Sequence, residues 1–287
     1  MKRTEKILFD AHTHLNFEEY TDEERKRLAE EIDESAVKYI VDAGDSVESS
    51  KAGLANAHAY PWCYAAVGIH PEHAKKVNSE MLEEIETLAK DEKCVAIGEI
   101  GLDFHYGKEY KEEQIDLFRK QIGIAIRLNM PIMIHSRDAD QLTMDILKEE
   151  GAFGDERTAK FPAREISGIS GVTKLPDARV QLHCFSGSKE LAMEYIKLGA
   201  TISIGGPVTF KNGKKTAGVA AALPIETLLS ETDAPYLAPE PFRGRQNKSQ
   251  YVEHVVRRIA FLKGMEYEEA ARVLTANGVR FFNMREK

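Results

Sequence analysis

The sequence predicts an α/β protein that folds as a (β/α)8 (TIM) barrel. Eight short runs of β-branched and aliphatic residues recur along the chain, and most are continuously apolar, as parallel strands covered on both faces are. Helix-like stretches separate the runs, and eight alternating units of strand and helix close naturally into a barrel. The predicted strands are Ile7–Asp10, Tyr39–Asp42, Tyr64–Gly68, Val95–Glu99, Ile132–His135, Val180–His183, Thr201–Ile204 and Leu228–Glu231.

The segments between these runs have the period of an amphipathic helix. Thr21 and Glu24 form a candidate capping box at the start of the first segment. Two later segments each place apolar side chains on one helical face: Ile115, Phe118, Ile122 and Ile126, then Val252, Val255, Val256, Ile259 and Leu262. A doubly wound open sheet is the alternative fold, but no G-x-G-x-x-G motif follows the first run, which makes it the weaker one.

Residues Gly151–Ala178 interrupt this alternation. They contain charges, two prolines and several glycines and serines, and they are longer than the roughly 2 to 6 residues usual for such a connection. We expect an excursion or a mobile loop inserted into a single barrel domain that spans residues 1–287. The length alone would also allow two smaller domains.

Composition and charge limit the class of protein. No apolar run approaches the roughly 18 to 20 residues of a membrane span, and the N-terminus lacks the apolar stretch of a signal peptide, so we expect a cytoplasmic protein without a membrane partner. The three cysteines Cys63, Cys94 and Cys184 form no CxxC pair and predict reduced, buried thiols. The net charge of −8 disfavours a protein that coats duplex nucleic acid, but it leaves open a nuclease with a small basic patch.

The carboxyl ends of the predicted strands, where barrels carry their chemistry, hold imidazoles and carboxylates. His12 and His14 follow the first strand, and side chains two residues apart in an extended segment point the same way. Glu99 lies between two glycines that allow close backbone approach, and a buried carboxylate there needs a cation or an arginine beside it. Three further strands end in His135, His183 and Asp233. Each residue alone has an ordinary structural explanation, but together on one rim they predict a metal centre.

Six ligands are too many for one tetrahedral ion, and a carboxylate can bridge two ions. We therefore predict two divalent cations that share an activated water and clamp an in-line displacement. Nitrogen and oxygen donors suit Zn, Mn, Co or Mg, and the sequence does not choose between them. Asp233 and Glu99 are predicted to be catalytic as well as ligating, and His70, after the third strand, is predicted to donate to a substrate oxygen. The remaining histidines are predicted to be structural or on the surface: His58, His73, His105 and His254.

Basic residues follow the seventh and eighth strands, in the loops that frequently bind phosphate in this fold. Lys211, Lys214 and Lys215 form one cluster, and the other consists of Arg243, Arg245 and Lys248. Arg137 could bind a phosphate in two hydrogen bonds, or it could pair with a neighbouring aspartate. We predict that the substrate-binding residues are Arg137, Lys211, Arg243 and Arg245, and a solvated charge run is the alternative.

Ordered sequence blocks run from Phe9 to the end of the chain: D-A-H-T-H, G-I-H-P, G-E-I-G-L-D, I-H-S-R-D-A, H-C-F-S-G-S, I-S-I-G-G-P-V-T-F-K-N and E-T-D-A-P-Y-L-A-P-E-P-F-R-G. Together these blocks resemble the TatD family of metal-dependent deoxyribonucleases. The resemblance implies an amidohydrolase-like barrel, two divalent metals and hydrolysis of DNA, commonly by a magnesium-dependent exonuclease that works from the 3′ end.

The resemblance also implies how the ligands divide between the metals. His12, His14, Glu99 and Asp233 would bind one ion, and Glu99, His135 and His183 the other. Glu99 stands where related amidohydrolases carry a modified lysine. Family members tend to be shorter at residues 151–178, and the extra length just before the sixth strand bears on substrate access.

Two other functions remain open at this point. One is hydrolysis of a small amide, lactone or phosphotriester on the same dinuclear scaffold, since fold and metals do not decide which bond is cleaved. The other is a non-catalytic, metal-stabilised binding protein with a closed coordination shell. The basic loops favour a phosphodiester, and Asp233, a ready proton acceptor, favours an enzyme. The predicted partner is DNA with short or single-stranded ends, and no obligatory protein partner is evident.

Overall fold

A computed structural model describes residues 5–284 of the chain. The strands are β1 (Leu8–Thr13), β2 (Val37–Ala43), β3 (Cys63–Val67), β4 (Cys94–Asp103), β5 (Ile132–Arg137), β6 (Arg164–Ile169), β7 (Val172–Leu175), β8 (Val180–Leu182), β9 (Ala200–Ile204) and β10 (Leu228–Ser230). The helices are α1 (Asp22–Glu34), α2 (Val47–Ala59), α3 (Ser79–Leu88), α4 (Lys111–Leu128), α5 (Asp140–Glu149), α6 (Asp155–Thr158), α7 (Lys189–Leu198), α8 (Lys214–Ala222), α9 (Val252–Lys263) and α10 (Tyr267–Phe281). Within residues 5–284, none of the helices combines the length and the apolarity needed to cross a bilayer.

Eight of the strands form one parallel sheet in the order β1, β2, β3, β4, β5, β8, β9, β10. The two outer strands approach each other: the Ser230 hydroxyl donates to the Phe9 carbonyl at 2.9 Å, and the Asp233 amide donates to the His12 carbonyl at 2.9 Å. These contacts bring the ends of the sheet together as a barrel. The predicted (β/α)8 fold is therefore confirmed, and each of the eight predicted strands overlaps an observed one.

The barrel is filled by side chains. Its interior is apolar and buried, and the C-terminal end of α10 adds Phe281 and Phe282, which pack against it. The Phe282 ring stacks on that of Phe9 with centroids 5.8 Å apart. A second, larger apolar core lies between the strands and the surrounding helices. With the interior packed, the open and polar end of the barrel is the rim at the carboxyl ends of the strands.

The helices form where the apolar period and the caps predicted them. Thr21 caps α1, where its side chain accepts from the Glu24 amide and the Glu24 carboxylate accepts from the Thr21 amide. In α4, Phe118 and Ile122 are fully buried. In α9, the buried face consists of Val252, Val255, Val256, Ile259 and Ala260.

The segment 151–178 folds into α6 and a separate antiparallel hairpin of β6 and β7, which the lack of a sustained period did not predict. The buried Arg164 anchors the hairpin through bonds to the carbonyls of Pro176, Ile196 and Ala200. Ala200 begins β9, so the hairpin packs at the N-terminal ends of the strands. This end is opposite the polar rim, and the expectation that the insertion affects access to the site is wrong.

All three cysteines lie within the described residues and are free thiols. Cys63 and Cys94 are buried and Cys184 is half-buried. Burial raises the pKa of the Cys94 thiol to about 12, so this thiol stays protonated near neutral pH. The prediction of reduced thiols without disulfides is confirmed.

Candidate metal centre

Close contact between β4 and β5 places Glu99 at the centre of the rim. Gly101 has a φ of 147°, and a Cβ atom there would lie 1.9 Å from the His135 carbonyl oxygen. A Cβ atom on Gly98 would lie 2.4 Å from the Cβ of Met133. The two glycines that flank Glu99 therefore permit the close backbone approach that the sequence predicts.

The Glu99 carboxylate lies between two groups of donors. Its Oε2 atom is 3.4 Å from His12 Nε2 and 3.9 Å from His14 Nε2. Its Oε1 atom is 2.8 Å from His135 Nδ1 and 3.0 Å from His183 Nε2. The carboxylate is almost completely buried, so its two oxygens reach separate sets of imidazoles inside the protein.

The first group of donors fits a cation. His12 Nε2 and His14 Nε2 are 3.0 Å apart, and each is 3.5 Å from Asp233 Oδ1. Four donors placed tetrahedrally about 2.1 Å from an ion stand about 3.4 Å apart, which is close to these spacings. His14 Nδ1 donates to the Ala43 carbonyl at 2.9 Å, so the Nε2 lone pair faces the cluster. Converging lone pairs and carboxylate oxygens form the donor set of a divalent cation.

The second group consists of His135 and His183 around Glu99 Oε1, and two carboxylates orient the imidazoles from behind. His135 Nε2 is 3.2 Å from Asp103 Oδ2, and His183 Nδ1 is 3.2 Å from Glu231 Oε1. A carboxylate behind a ligating imidazole fixes its orientation and increases its basicity.

Sequence reasoning missed the roles of Asp103 and Glu231. The predicted fourth strand ended at Glu99, whereas β4 continues and pairs Asp103 with Arg137 of β5. Glu231 was assigned only to the predicted eighth strand, although it is fully buried, which is costly for a carboxylate without partners. The signal that could have found both was their position beside the predicted ligands at strand ends.

Burial and the neighbouring charges set the protonation of the cluster. Burial alone would lower the pKa of His14, but the Asp233 carboxylate outweighs it and raises that pKa to about 9. For His12, burial dominates and lowers the pKa. Burial would raise the pKa of Glu99, but His183 and His12 hold it well below its usual range. A cation that enters this cluster would displace the imidazole protons that compensate the carboxylates.

His70 lies at the edge of the second group, with Nε2 3.9 Å from Glu99 Oε1. Burial lowers the pKa of its imidazole to about 3, so the ring is neutral near pH 7. Its Nδ1 accepts from the Glu72 amide at 3.3 Å, which leaves the proton on Nε2. The ring is thus arranged to donate from Nε2 toward the cluster.

The predicted substrate-binding residues of the last two loops come together on the surface. The Arg243 guanidinium lies 4.2 Å from the centroid of the Phe210 ring and donates to Asn212 at 3.3 Å. This contact joins the loops after β9 and β10 and leaves Lys211 exposed beside Arg243. Arg245, Lys214 and Lys215 are also exposed. Lys248 differs from them because its ammonium group pairs with Glu31 at 2.5 Å.

Arg137 extends from the end of β5 next to His135. Its guanidinium carbon lies 4.7 Å from the centroid of the Tyr106 ring, and the residue is exposed. The remaining histidines lie outside the Glu99 cluster. His58 pairs with Asp91, and His105 with Asp138.

Comparison with known proteins agrees with this site. The model of a family described as TatD related DNase matches residues 9–283. The chain belongs to the TatD family. The resemblance seen in its sequence blocks is thereby confirmed.

Relatives of this TatD-family chain cover nearly its whole length. An uncharacterized metal-dependent hydrolase from Bacillus subtilis, YabD, is 40% identical over 278 residues, which is 97% of this chain and 100% of the relative. A protein named 3′-5′ ssDNA/RNA exonuclease TatD, from Pectobacterium parmentieri, is 29% identical over 283 residues, 96% of this chain and 100% of the relative. The crystal structure of the TatD homologue YjjV from Escherichia coli is 28% identical, covers 98% of this chain and 99% of that one, and has a TM-score of 0.83.

Family membership and these relatives make this TatD-family chain a metal-dependent hydrolase, as the sequence predicted. Metal dependence agrees with the groups of histidine and glutamate side chains that could hold an ion, among them His12, His14 and Glu99.

Proposed function

We propose that this protein is a two-metal phosphodiesterase that removes nucleotides from the 3′ end of single-stranded DNA. The observation that carries the proposal is the Glu99 carboxylate, whose two oxygens face two different groups of nitrogen donors. A carboxylate in that position is suited to bridge two cations.

In this proposal the ligands divide by the Glu99 oxygen that they face. His12, His14 and Asp233 hold one cation on the side of Oε2, and His135 and His183 hold the other on the side of Oε1. Divalent ions there would lower the pKa of water to about 7 and neutralise charge on a phosphoryl group. The ions are Mg, Mn, Zn or Co, in keeping with the nitrogen and oxygen donors.

The chain's own groups would carry the proton and orient the substrate. Asp233 lies at the open side of the cluster, with 13% of its side chain exposed, and accepts the proton from the attacking water. His70 donates from Nε2 to a non-bridging oxygen of the substrate. Glu99, as the bridge, keeps the two groups of donors at a constant separation.

The charges around the rim favour a polyanionic substrate. Lys211 and Arg243 are adjacent across the last two loops, and Arg137 lies beside His135. These cations add to the barrel's usual phosphate-binding loops. A small neutral amide or lactone would make no use of them, whereas a DNA strand carries one phosphate per nucleotide. The name of the Pectobacterium relative, an exonuclease on single-stranded DNA and RNA, points the same way.

The test is cleavage of single-stranded oligonucleotides labelled at either the 3′ or the 5′ end, by protein reconstituted in turn with each of the four metals. We expect early release of the 3′ label as a mononucleotide, while the 5′ label stays in a ladder of shortening strands. The Asp233→Asn variant serves as the control for a contaminating nuclease. Release of the 5′ label first would contradict the polarity. Intact strands, together with hydrolysis of a small amide, lactone or phosphotriester, would support the alternative substrate class.

A further inference from the structure

Large apolar side chains that are exposed cluster around the metal centre. Among residues 5–284, the exposed ones are Tyr106, Tyr236, Leu237 and Phe261. The first three lie in the loops after β4 and β10, at the rim that holds Glu99, whereas Phe261 lies on α9. Exposed aromatic side chains beside a site are uncommon without a ligand that covers them.

Tyr106 is held next to His135 by a single carboxylate. Asp103 Oδ1 accepts from the backbone amides of His105 and Tyr106, both at 2.9 Å, while Asp103 Oδ2 faces His135. The Tyr106 ring is 68% exposed and carries the Arg137 guanidinium over one face. The result is a fixed, cationic aromatic surface beside the second group of donors.

Tyr236 occupies the corresponding place beside the first group of donors. Its amide donates to the Asp233 carbonyl at 2.8 Å, and its ring lies edge-on to that of His14 with centroids 6.2 Å apart. Phe17 supports the ring from another side at 5.9 Å, and the Asn247 amide holds the Tyr236 carbonyl at 2.6 Å. The ring is nonetheless 50% exposed.

We propose that Tyr106 and Tyr236 are stacking positions for nucleobases, one on each side of the scissile phosphate. This inference rests on the proposed nuclease function and adds a binding role for two residues. An aromatic face stacks on any base, so the contact is tolerant of sequence. In a duplex the base faces are already stacked on their neighbours, so these positions select single strands.

The surrounding charge favours a nucleic acid over a protein as the occupant. Arg137 lies over Tyr106, and the exposed Lys211 and Arg243 lie in the loops that adjoin Tyr236. A cationic groove interleaved with aromatic side chains is the pattern of proteins that bind single strands without sequence preference.

The test is equilibrium binding of a fluorescent oligothymidylate, measured by anisotropy in the Asp233→Asn background to prevent turnover. Its matched probe is an abasic strand of the same length, which has the same phosphates but no bases. We expect Tyr106→Ala and Tyr236→Ala each to raise the Kd for oligothymidylate about 5- to 100-fold. Binding of the abasic strand should stay the same. Tyr106→Phe and Tyr236→Phe should keep the wild-type Kd, and Phe261→Ala, a similarly exposed aromatic residue away from the rim, is the control.

Equal losses on the two strands, or unchanged binding of oligothymidylate in both alanine variants, would overturn the stacking role. Because binding is measured without turnover, the result is separate from that of the cleavage assay. Base-dependent binding without cleavage would reject the nuclease and support stacking, whereas cleavage without base dependence would do the opposite. Failure to bind either strand would overturn both.

Discussion

Asp103 is a carboxylate that contacts a proposed ligand without being one, and replacing it tests whether the arrangement behind the metal centre matters. Asp103→Asn keeps Oδ1, which accepts from the amides of His105 and Tyr106. It replaces Oδ2, 3.2 Å from His135 Nε2, by an amide nitrogen that cannot accept the imidazole proton. The loop should therefore keep its conformation, while His135 loses the group that orients it.

The size of the effect follows from these contacts. Removing the partner of a ligating histidine typically costs 10- to 100-fold in metal affinity, which corresponds to about 1.4 to 2.7 kcal/mol. Both backbone hydrogen bonds to Oδ1 are retained, so the free energy of unfolding should change by less than about 1 kcal/mol. We therefore expect a selective loss of metal affinity with little loss of stability.

The assay is calorimetric titration of metal-free protein with Zn²⁺ or Mn²⁺, together with urea unfolding. Asp138→Asn is the matched control, because Asp138 contacts His105 at 3.3 Å in the same region but is exposed and does not touch His135. A metal Kd within twofold of the wild type in Asp103→Asn would refute the orienting role. A weaker affinity accompanied by an equal loss in the control would refute it as well.

Three further outcomes follow from the same geometry. Asp233→Asn should bind substrate and at least one metal but lose roughly 10²- to 10⁴-fold in turnover, and turnover within a few-fold of wild type at saturating metal would leave it as a ligand only. Neutralising the basic residues of the last two loops should weaken DNA binding and flatten its log–log salt dependence by roughly 0.7 for each phosphate that the protein no longer binds, and an unchanged slope would assign them to the solvated surface: Lys211, Lys214, Arg243 and Arg245. Gly101→Ala should lower the free energy of unfolding by about 2 to 6 kcal/mol, since its Cβ would clash with the His135 carbonyl at an unfavourable φ, and wild-type stability in urea unfolding would show that β4 can shift.

Much of the barrel could be predicted because its strands are short, buried on both faces and separated by helices with clear apolar periods. The proposed ligands could be located for the same reason, since His12, Glu99, His135 and His183 directly follow or end an apolar run. Parallel strands carry such ends to one rim, so sequence position translated into spatial proximity.

The missed features depend on tertiary contacts that local patterns do not encode. Asp103 reaches His135 only because β4 continues past Glu99 alongside β5. The hairpin of β6 and β7 is anchored by Arg164, a charged residue whose burial depends on carbonyl groups up to 36 residues away. The partner of Lys248 is Glu31, 217 residues away, so a lysine in an apparently basic loop cluster proves to be paired.

The central claim is that Glu99 bridges two cations, and metal stoichiometry of Glu99→Ala tests it most directly. The variant protein would be saturated with metal, freed of excess ions and analysed by plasma mass spectrometry, with circular dichroism to verify folding and the exposed Glu109→Ala as control. Wild type and control should retain two ions per chain, while Glu99→Ala should retain at most one, because the carboxylate shared by both groups of donors is gone. Two ions per chain in folded Glu99→Ala would contradict the bridge.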